Sequence, residues 1–469
     1  MKPYYEYNGV TLYLGDCREV MPTLNPVHAI ICDPPYELGF MGKAWDKTGI
    51  ANDVKMWAEC LRVLRPGGHL LSFGGSRTYH RMACAIEDAG FEIRDQIMWL
   101  YGSGFPKSLD VSKAIDKAAR GVPQGGADPT SQNHGKFKGG CSEDNPSGRG
   151  FGAGPGQFMK DGRKIIGVSN RGSGASPQKL NNHEHGDTGI GILDGSGKTF
   201  YLTEPATDAA KEWGGYGTAL KPAHEPICVA RKPLIGTVAA NVLEHGTGAL
   251  NIDGCRICTN ELTPRNNANT RTLYEKGFEG TPKMIEPSPL GRWPANVIHD
   301  GSDEVVSMFP DATGQQGFVG EKNGERPSIN TYGDFGPRPD TFPRGDSGSA
   351  ARFFYTAKAS REERSRGMHD TEEQITDDGR NIPIDNPYLR GKTLRSNTHP
   401  TVKPLDLMAY LCNLLCPPSG GILLDPFMGS GSTIIAGRRF YQQCIGIELE
   451  EKYAEIAAKR LSQEVLSFE

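Results

Sequence analysis

Two short stretches of this chain combine residue types that can do chemistry. The first is Asp33-Pro34-Pro35-Tyr36, which follows the apolar run Ala29-Ile30-Ile31-Cys32. Two prolines stiffen the backbone and contribute no N–H, so the segment offers fixed acceptors, the Asp33 carboxylate and the Pro34 carbonyl. Such a loop suits an –NH2 group, and Tyr36 adds a flat face on which a heterocycle can stack. A turn that merely ends a strand explains the same four residues equally well. The second stretch is Asp425-Pro426-Phe427-Met428-Gly429-Ser430-Gly431-Ser432-Thr433. Glycines between a strand and a helix let a ligand approach the backbone closely. Glu448, about 20 residues on, has the placing of an acid that binds ribose hydroxyls. The third glycine of the dinucleotide pattern is missing, which favours a nucleoside ligand without a pyrophosphate.

Both stretches need strands to carry them. Residues 29–35 read as a buried strand stopped by the double proline, and 52–65 as a helix through Val54, Trp57, Leu61 and Leu64, with Gly67-Gly68 as its stop. A strand at 69–73, a helix at 77–89 and a strand at 91–101 follow. Near the other end, 404–415 reads as a helix, 421–425 as a strand, 430–439 as a helix, 443–448 as a strand and 450–461 as a helix. Strands alternating with helices predict a parallel sheet with crossovers, an α/β fold.

These motifs together resemble the β-class S-adenosylmethionine-dependent amino-methyltransferases of DNA. Further family segments are Leu14-Gly15-Asp16-Cys17, Leu64-Arg65-Pro66-Gly67-Gly68 and Thr398-His399-Pro400-Thr401-Val402-Lys403-Pro404-Leu405. The five segments stand in the family's circularly permuted order, catalytic half first and cofactor half last, and anchor residues 1–106 and 396–469. The resemblance implies a Rossmann-like methyltransferase sheet and S-adenosyl-L-methionine as cofactor. It implies that Asp33, Pro34 and Tyr36 hold the target base, with Pro35 shaping the loop. Asp425, Phe427, Gly429 and Gly431 line the methionine side of the cofactor, Glu448 takes the ribose, Asp16 lies near the adenine, and Thr401 and Lys403 reach the carboxylate. His399 reads as structural. The family's sheet ends in an antiparallel pair, which 93–101 and 225–231 fit. Trp99 and Tyr101 fall where a second wall for a flipped base would stand, and serve equally well as core.

Composition locates what surrounds this core. The chain has 60 Gly and 33 Pro among 469 residues, close to one in five, against an ordinary share of roughly 12%. No stretch approaches the apolar length of a spanning helix. Residues 121–200 hold 20 Gly in 80 positions, too little apolar surface to offset ordering entropy. The resulting division is 1–106, the catalytic half; 107–218, a Gly-rich insertion, partly disordered or DNA-contacting; 219–240, a returning core strand; 241–395, a target-recognition region with Trp293–Phe309 as its packed part; and 396–469, the cofactor half. Net charge is −4, which excludes bulk electrostatic coating of nucleic acid but not a local basic rim. Arg352, Lys358, Arg361, Lys392 and Arg395 are the candidate phosphate contacts, a solvated helix face being the plainer account. Eleven scattered Cys and no signal peptide suggest reduced cytosolic thiols. The resemblance implies a bacterial or phage source, and so a cytoplasmic protein.

Weaker signals fall away. Gly195-Ser196-Gly197-Lys198-Thr199 has Ile192 where a phosphate loop needs Gly. Cys255 and Cys258 have metal-ligand spacing without a second pair, so no metal is expected. The expected activity is methylation of the exocyclic N6 of adenine in double-stranded DNA, by direct transfer after base flipping. N4-cytosine methylation, protein glutamine methylation and a catalytically inactive DNA-binding regulator are the alternatives. A homodimer and a cognate restriction enzyme stay open as partners.

Overall fold

The computed structural model describes residues 2–38, 48–102, 104, 108–121, 201–257, 291–312, 348–357, 397–399 and 401–463, with short pieces at 165–168, 328–330, 333–335, 363, 368, 374–377 and 392–395. The chain divides into two units, one of Met1–Ser103, Ala223–Thr371 and Ser396–Glu469, the other of Gly104–Pro222 and Glu372–Arg395.

The first unit is built on a ten-stranded sheet, its strands numbered here in chain order: β1 Tyr5–Tyr7, β2 Val10–Leu14, β3 Val27–Cys32, β4 Leu64–Phe73, β5 Glu92–Leu100, β6 His224–Arg231, β7 Val297–His299, β8 Tyr355–Thr356, β9 Ile422–Asp425 and β10 Gln443–Glu448. Across the sheet they lie in the order β1-β2-β10-β9-β3-β4-β6-β5-β7-β8. Only β1, at the edge, and β6 run against the rest. The two strands near the end of the chain are thus hydrogen-bonded between strands near its beginning.

The described helices of this unit include α1 Cys17–Val20, α2 Val54–Val63, α3 Tyr79–Asp88, α4 Val238–His245, α5 Leu405–Leu415, α6 Ser432–Gly437 and α7 Glu451–Gln463. All six residues of β3 are buried, as expected of a strand covered on both faces. Its side chains alternate: Ala29 and Ile31 join one core with α5, α6 and α7, while Ile30 and Cys32 join the other with α1, α2 and α3. In α2 the buried Met56, Trp57, Cys60 and Val63 make one stripe, and the Asp53 side chain caps the helix by accepting from the Lys55 amide. No helix among the described residues is long and apolar enough to cross a membrane.

Several expectations change. Arg65-Pro66-Gly67-Gly68 does not separate α2 from a strand; α2 ends at Val63 and β4 begins at once at Leu64. The helix that follows the glycine loop starts at Ser432 rather than Ser430, because Gly431 sits at its N-cap with φ +82°. Two short described segments of 241–395 extend the main sheet. Val297–His299 pairs in parallel with Met98–Leu100, and Tyr355–Thr356 with Ile298–His299, satisfying the open side of β5. Ile298 and Val305 are buried there, but Trp293 is 64% exposed beneath the Arg256 guanidinium.

In the second unit the described ends of 107–218 are regular. Helix Val111–Ala119 carries Asp116, whose carboxylate accepts from the amides of Ala206 and Thr207 and from the Thr207 hydroxyl, all within 3.0 Å. Thr207 in turn caps helix Asp208–Glu212. Most of 122–200 lies outside the described residues.

Buried histidines make the first unit acid-sensitive. His69 in β4 is buried, and burial first, then the Arg231 and Arg94 charges, lowers its pKa to about 4. An unfolded chain takes up that proton near pH 6.5, so stability held above this value is lost as pH falls towards 4. Urea denaturation should show the protein losing about 2 kcal/mol more than a His69→Leu variant between pH 6.5 and 5. Equal losses would remove His69 as a cause.

Candidate active site

Parallel strands bring their carboxyl ends to one edge. At that edge β2 delivers Asp16, β10 delivers Glu448, β9 delivers Asp425 and β3 delivers Asp33, in that spatial order. From β9 the chain crosses through α6 to β10 on one side, and from β3 through α2 to β4 on the other. The crevice between Asp425 and Asp33 is therefore the switch point at which open α/β sheets bind ligands.

On the β9 side the loop is held from three directions. Asp425, 1% exposed, accepts from the Phe427 amide at 2.9 Å. Burial raises its pKa to about 7 against the pull of the Thr433 and Phe427 hydrogen bonds. The Gly429 amide donates to Glu448 Oε2 at 2.9 Å, while the Glu450 amide donates to Oε1 at 2.8 Å. Each Glu448 oxygen keeps a second lone pair for a further donor. Gly429 has φ +51°, and a Cβ there would meet the His399 ring at 2.7 Å. That ring packs edge-on against Tyr453, and its Nδ1 lies 3.0 Å from the Thr401 carbonyl. Burial lowers the pKa of His399 to about 4, so it is a neutral structural wedge. Thr401 itself is exposed. Asp16 caps α1 and pairs with Arg18 at 2.6 Å, the chief cause of its lowered pKa, and the Gly15 amide donates to the Glu448 carbonyl at 2.9 Å.

On the β3 side the site is a closed network. The Tyr36 hydroxyl lies 2.8 Å from Asp33 Oδ1 and 3.2 Å from Glu225 Oε2. The Lys403 ammonium lies 2.9 Å from Asp33 Oδ2, 3.1 Å from Glu225 Oε2 and 3.0 Å from the Tyr36 hydroxyl. Burial works against the charge of Lys403, yet Asp33 and Glu225 outweigh it and hold the pKa above the ordinary lysine value. Burial, then the same two carboxylates, push the Tyr36 phenol well up. Lys403 was expected at the cofactor carboxylate. In this structure its ammonium meets Asp33, Glu225 and the Tyr36 hydroxyl, and it also lies over the Tyr36 ring at 5.3 Å.

The remaining candidates divide. Trp99 is in the core, with its ring 5.2 Å from that of half-buried Tyr101. Burial, then Glu225, raises the Tyr101 pKa to about 12. Arg352 is not a free phosphate contact: its guanidinium donates to the carbonyls of Gly348, Ser349 and Ala312 and lies over Phe353. Lys358 and Arg361 lie outside the described residues. Lys392 and Arg395 bound a strand of the second unit. The Cys255 thiol is buried 3.8 Å from the Tyr410 carbonyl, and Cys258 lies outside the described residues.

Two residues at the site belong to none of the motifs. Glu225 is the second residue of the reversed strand β6, whose beginning meets the carboxyl ends of the others. Arg460 of α7 is buried and donates to the Ser430 carbonyl at 2.6 Å and to the Ser432 hydroxyl at 3.3 Å, clamping the glycine loop. Its sequence signal is the buried face Ala454, Ala457 and Leu461, beside which it falls at helical spacing.

The family model described as DNA methylase, N6_N4_Mtase, matches residues 27–117 and 195–459. The type II methyltransferase M.ScaI of Streptomyces caespitosus is 34% identical over 84 residues, 17% of this chain and 28% of that protein. M.SmaI of Serratia marcescens is 46% identical over 54 residues, 12% of this chain and 18% of that protein. The chain thus spans under a third of the length of these curated relatives. Among solved structures, the M1.HpyAVI-SAM complex aligns over 96% of this chain and 99% of that one, at 13% identity and a TM-score of 0.33. With both motif-bearing ends and most of the chain between them inside the family match, the protein belongs to the N6/N4 DNA methylase family.

Proposed function

We propose that this protein transfers a methyl group from S-adenosyl-L-methionine to the exocyclic N6 of adenine in double-stranded DNA. One observation carries the proposal: a rigid acceptor loop, Asp33 to Tyr36, and a glycine loop bounded by Asp425 and Glu448 face each other across the switch point of the sheet. The family membership supports a DNA amine as the acceptor.

The residues present fit the cofactor. Asp425 is a buried carboxyl whose raised pKa marks it as lacking a cation, and a ligand ammonium would supply one. Glu448 is oriented by two amides with lone pairs to spare for ribose hydroxyls. Gly429 and Gly431, with Phe427, allow close approach of the ligand to the loop, and Asp16 neighbours Glu448 on the adenine side. Thr401 stands exposed beside His399 for the carboxylate end. When bound, the cofactor supplies an electrophilic methyl group.

The protein's part is positioning and electrostatics. A base inside a duplex is extruded at a cost of a few kcal/mol, offset in part by stacking on Tyr36 at about 1–3 kcal/mol. The Asp33 carboxylate and the Pro34 carbonyl accept hydrogen bonds from the amine and raise its nucleophilicity. Tyr101 flanks this pocket, with Trp99 as its buried support. Lys392 and Arg395 are proposed phosphate contacts of the second unit.

Two tests follow. An Asp33→Ala variant should lose methyl transfer to DNA while binding S-adenosylmethionine nearly as the parent does, and digestion of the parent's product to nucleosides should yield N6-methyladenine by mass. Substantial turnover by the variant excludes Asp33 as the amine acceptor, and N4-methylcytosine in the digest moves the target to cytosine. Calorimetry of cofactor binding at pH 6, in buffers of differing ionisation enthalpy, should show release of nearly one proton as Asp425 ionises against the ligand ammonium. An Asp425→Asn variant should show none, and a proton release unchanged in that variant assigns it elsewhere.

A further inference from the structure

Glu225 is fixed at the start of β6 by pairing opposite Trp99. Its side chain is 20% exposed, and Oε2 lies 3.1 Å from Lys403 and 3.2 Å from the Tyr36 hydroxyl. Asp33 meanwhile faces a conflict. Lys403 lies on Oδ2 at 2.9 Å and Tyr36 on Oδ1 at 2.8 Å. Each oxygen keeps a second lone pair, but the ammonium offsets the charge with which the carboxylate would draw a substrate amine, so the amine binds Asp33 better as these donors loosen. A buried ammonium does not give way unless another acceptor takes it, because an unpaired charge at low dielectric is strongly disfavoured. Glu225 is already within reach of both donors.

We propose that Glu225 is a positioning residue that takes over Lys403 and Tyr36 as the amine arrives, so that Asp33 is released to accept from it. This rests on the methyltransferase function proposed above. Only a small shift of the two donors is needed: the contacts to Glu225 shorten as those to Asp33 lengthen. Two carboxylates against one ammonium also leave a net negative charge, which favours the positive charge developing on the alkylated nitrogen. Lys403 thereby holds Asp33 closed at rest, and Glu225 sets how easily it opens.

The test is a double-mutant cycle in methyl transfer to DNA. Glu225→Gln, which keeps shape and removes charge, leaves Lys403 on Asp33 alone. It should lower kcat about 30-fold, with KM for DNA and cofactor affinity by calorimetry within about 3-fold of the parent. Adding Lys403→Met removes the competitor, so the double variant should recover several-fold over Glu225→Gln. Parental kcat in Glu225→Gln overturns the proposal, as does a double variant no faster than the single one. Loss of cofactor binding in Glu225→Gln shows a merely structural role and overturns it too. A parent protein that transfers no methyl group to any duplex refutes the function itself, an outcome distinct from the other three.

Discussion

The site depends on one topological constraint: β9 and β10 are hydrogen-bonded between β2 and β3. Because all four are parallel, this insertion lines up Asp16, Glu448, Asp425 and Asp33 at a single edge. It also makes the chain diverge on either side of the β9/β3 boundary, which opens the crevice. Neither loop alone forms a site. The glycine loop supplies no fixed amine acceptor, and the proline loop supplies no cradle.

Four acids at one edge repel unless each is managed, and the structure manages each differently. Asp16 is paired with Arg18, Glu448 is tied to two amides, Asp33 shares an ammonium, and Asp425 is buried with its pKa raised to about 7. The last two are poised rather than satisfied. Buried groups held in this way are common where ligands complete the charge balance. Arg460 and His399 support the same region without titrating into it, one clamping Ser430 and the other filling the space that a side chain at position 429 would need.

Much of this was legible from residue order. The strands ending at Asp33, Asp425 and Glu448 and the helices between them read directly, because long apolar runs and their stops are strong local signals. The three-residue strand Val297–His299 and the two-residue strand Tyr355–Thr356 did not read, since so few residues show no alternation and owe their conformation to the partner edge. The contacts of Lys403 with Asp33 and Glu225 did not read, because sequence spacing says nothing of which carboxylate a long side chain reaches. Glu225 was within reach of the reasoning: once 225–231 is taken as antiparallel, an acid at its first position must fall at the catalytic edge. Arg352 illustrates the opposite limit, a cation in a basic run that is spent on nearby carbonyls.

The central insertion also governs how the protein comes into being. β3 gains its β9 neighbour only when residues some 390 positions later have been made. At roughly 5–20 residues per second, ribosomal synthesis leaves the facing edges of β2 and β3 unpaired for tens of seconds. Those edges are apolar templates for pairing with another chain. The middle of the sheet, where β9 and β10 lie between β2 and β3, can therefore be completed only late in synthesis.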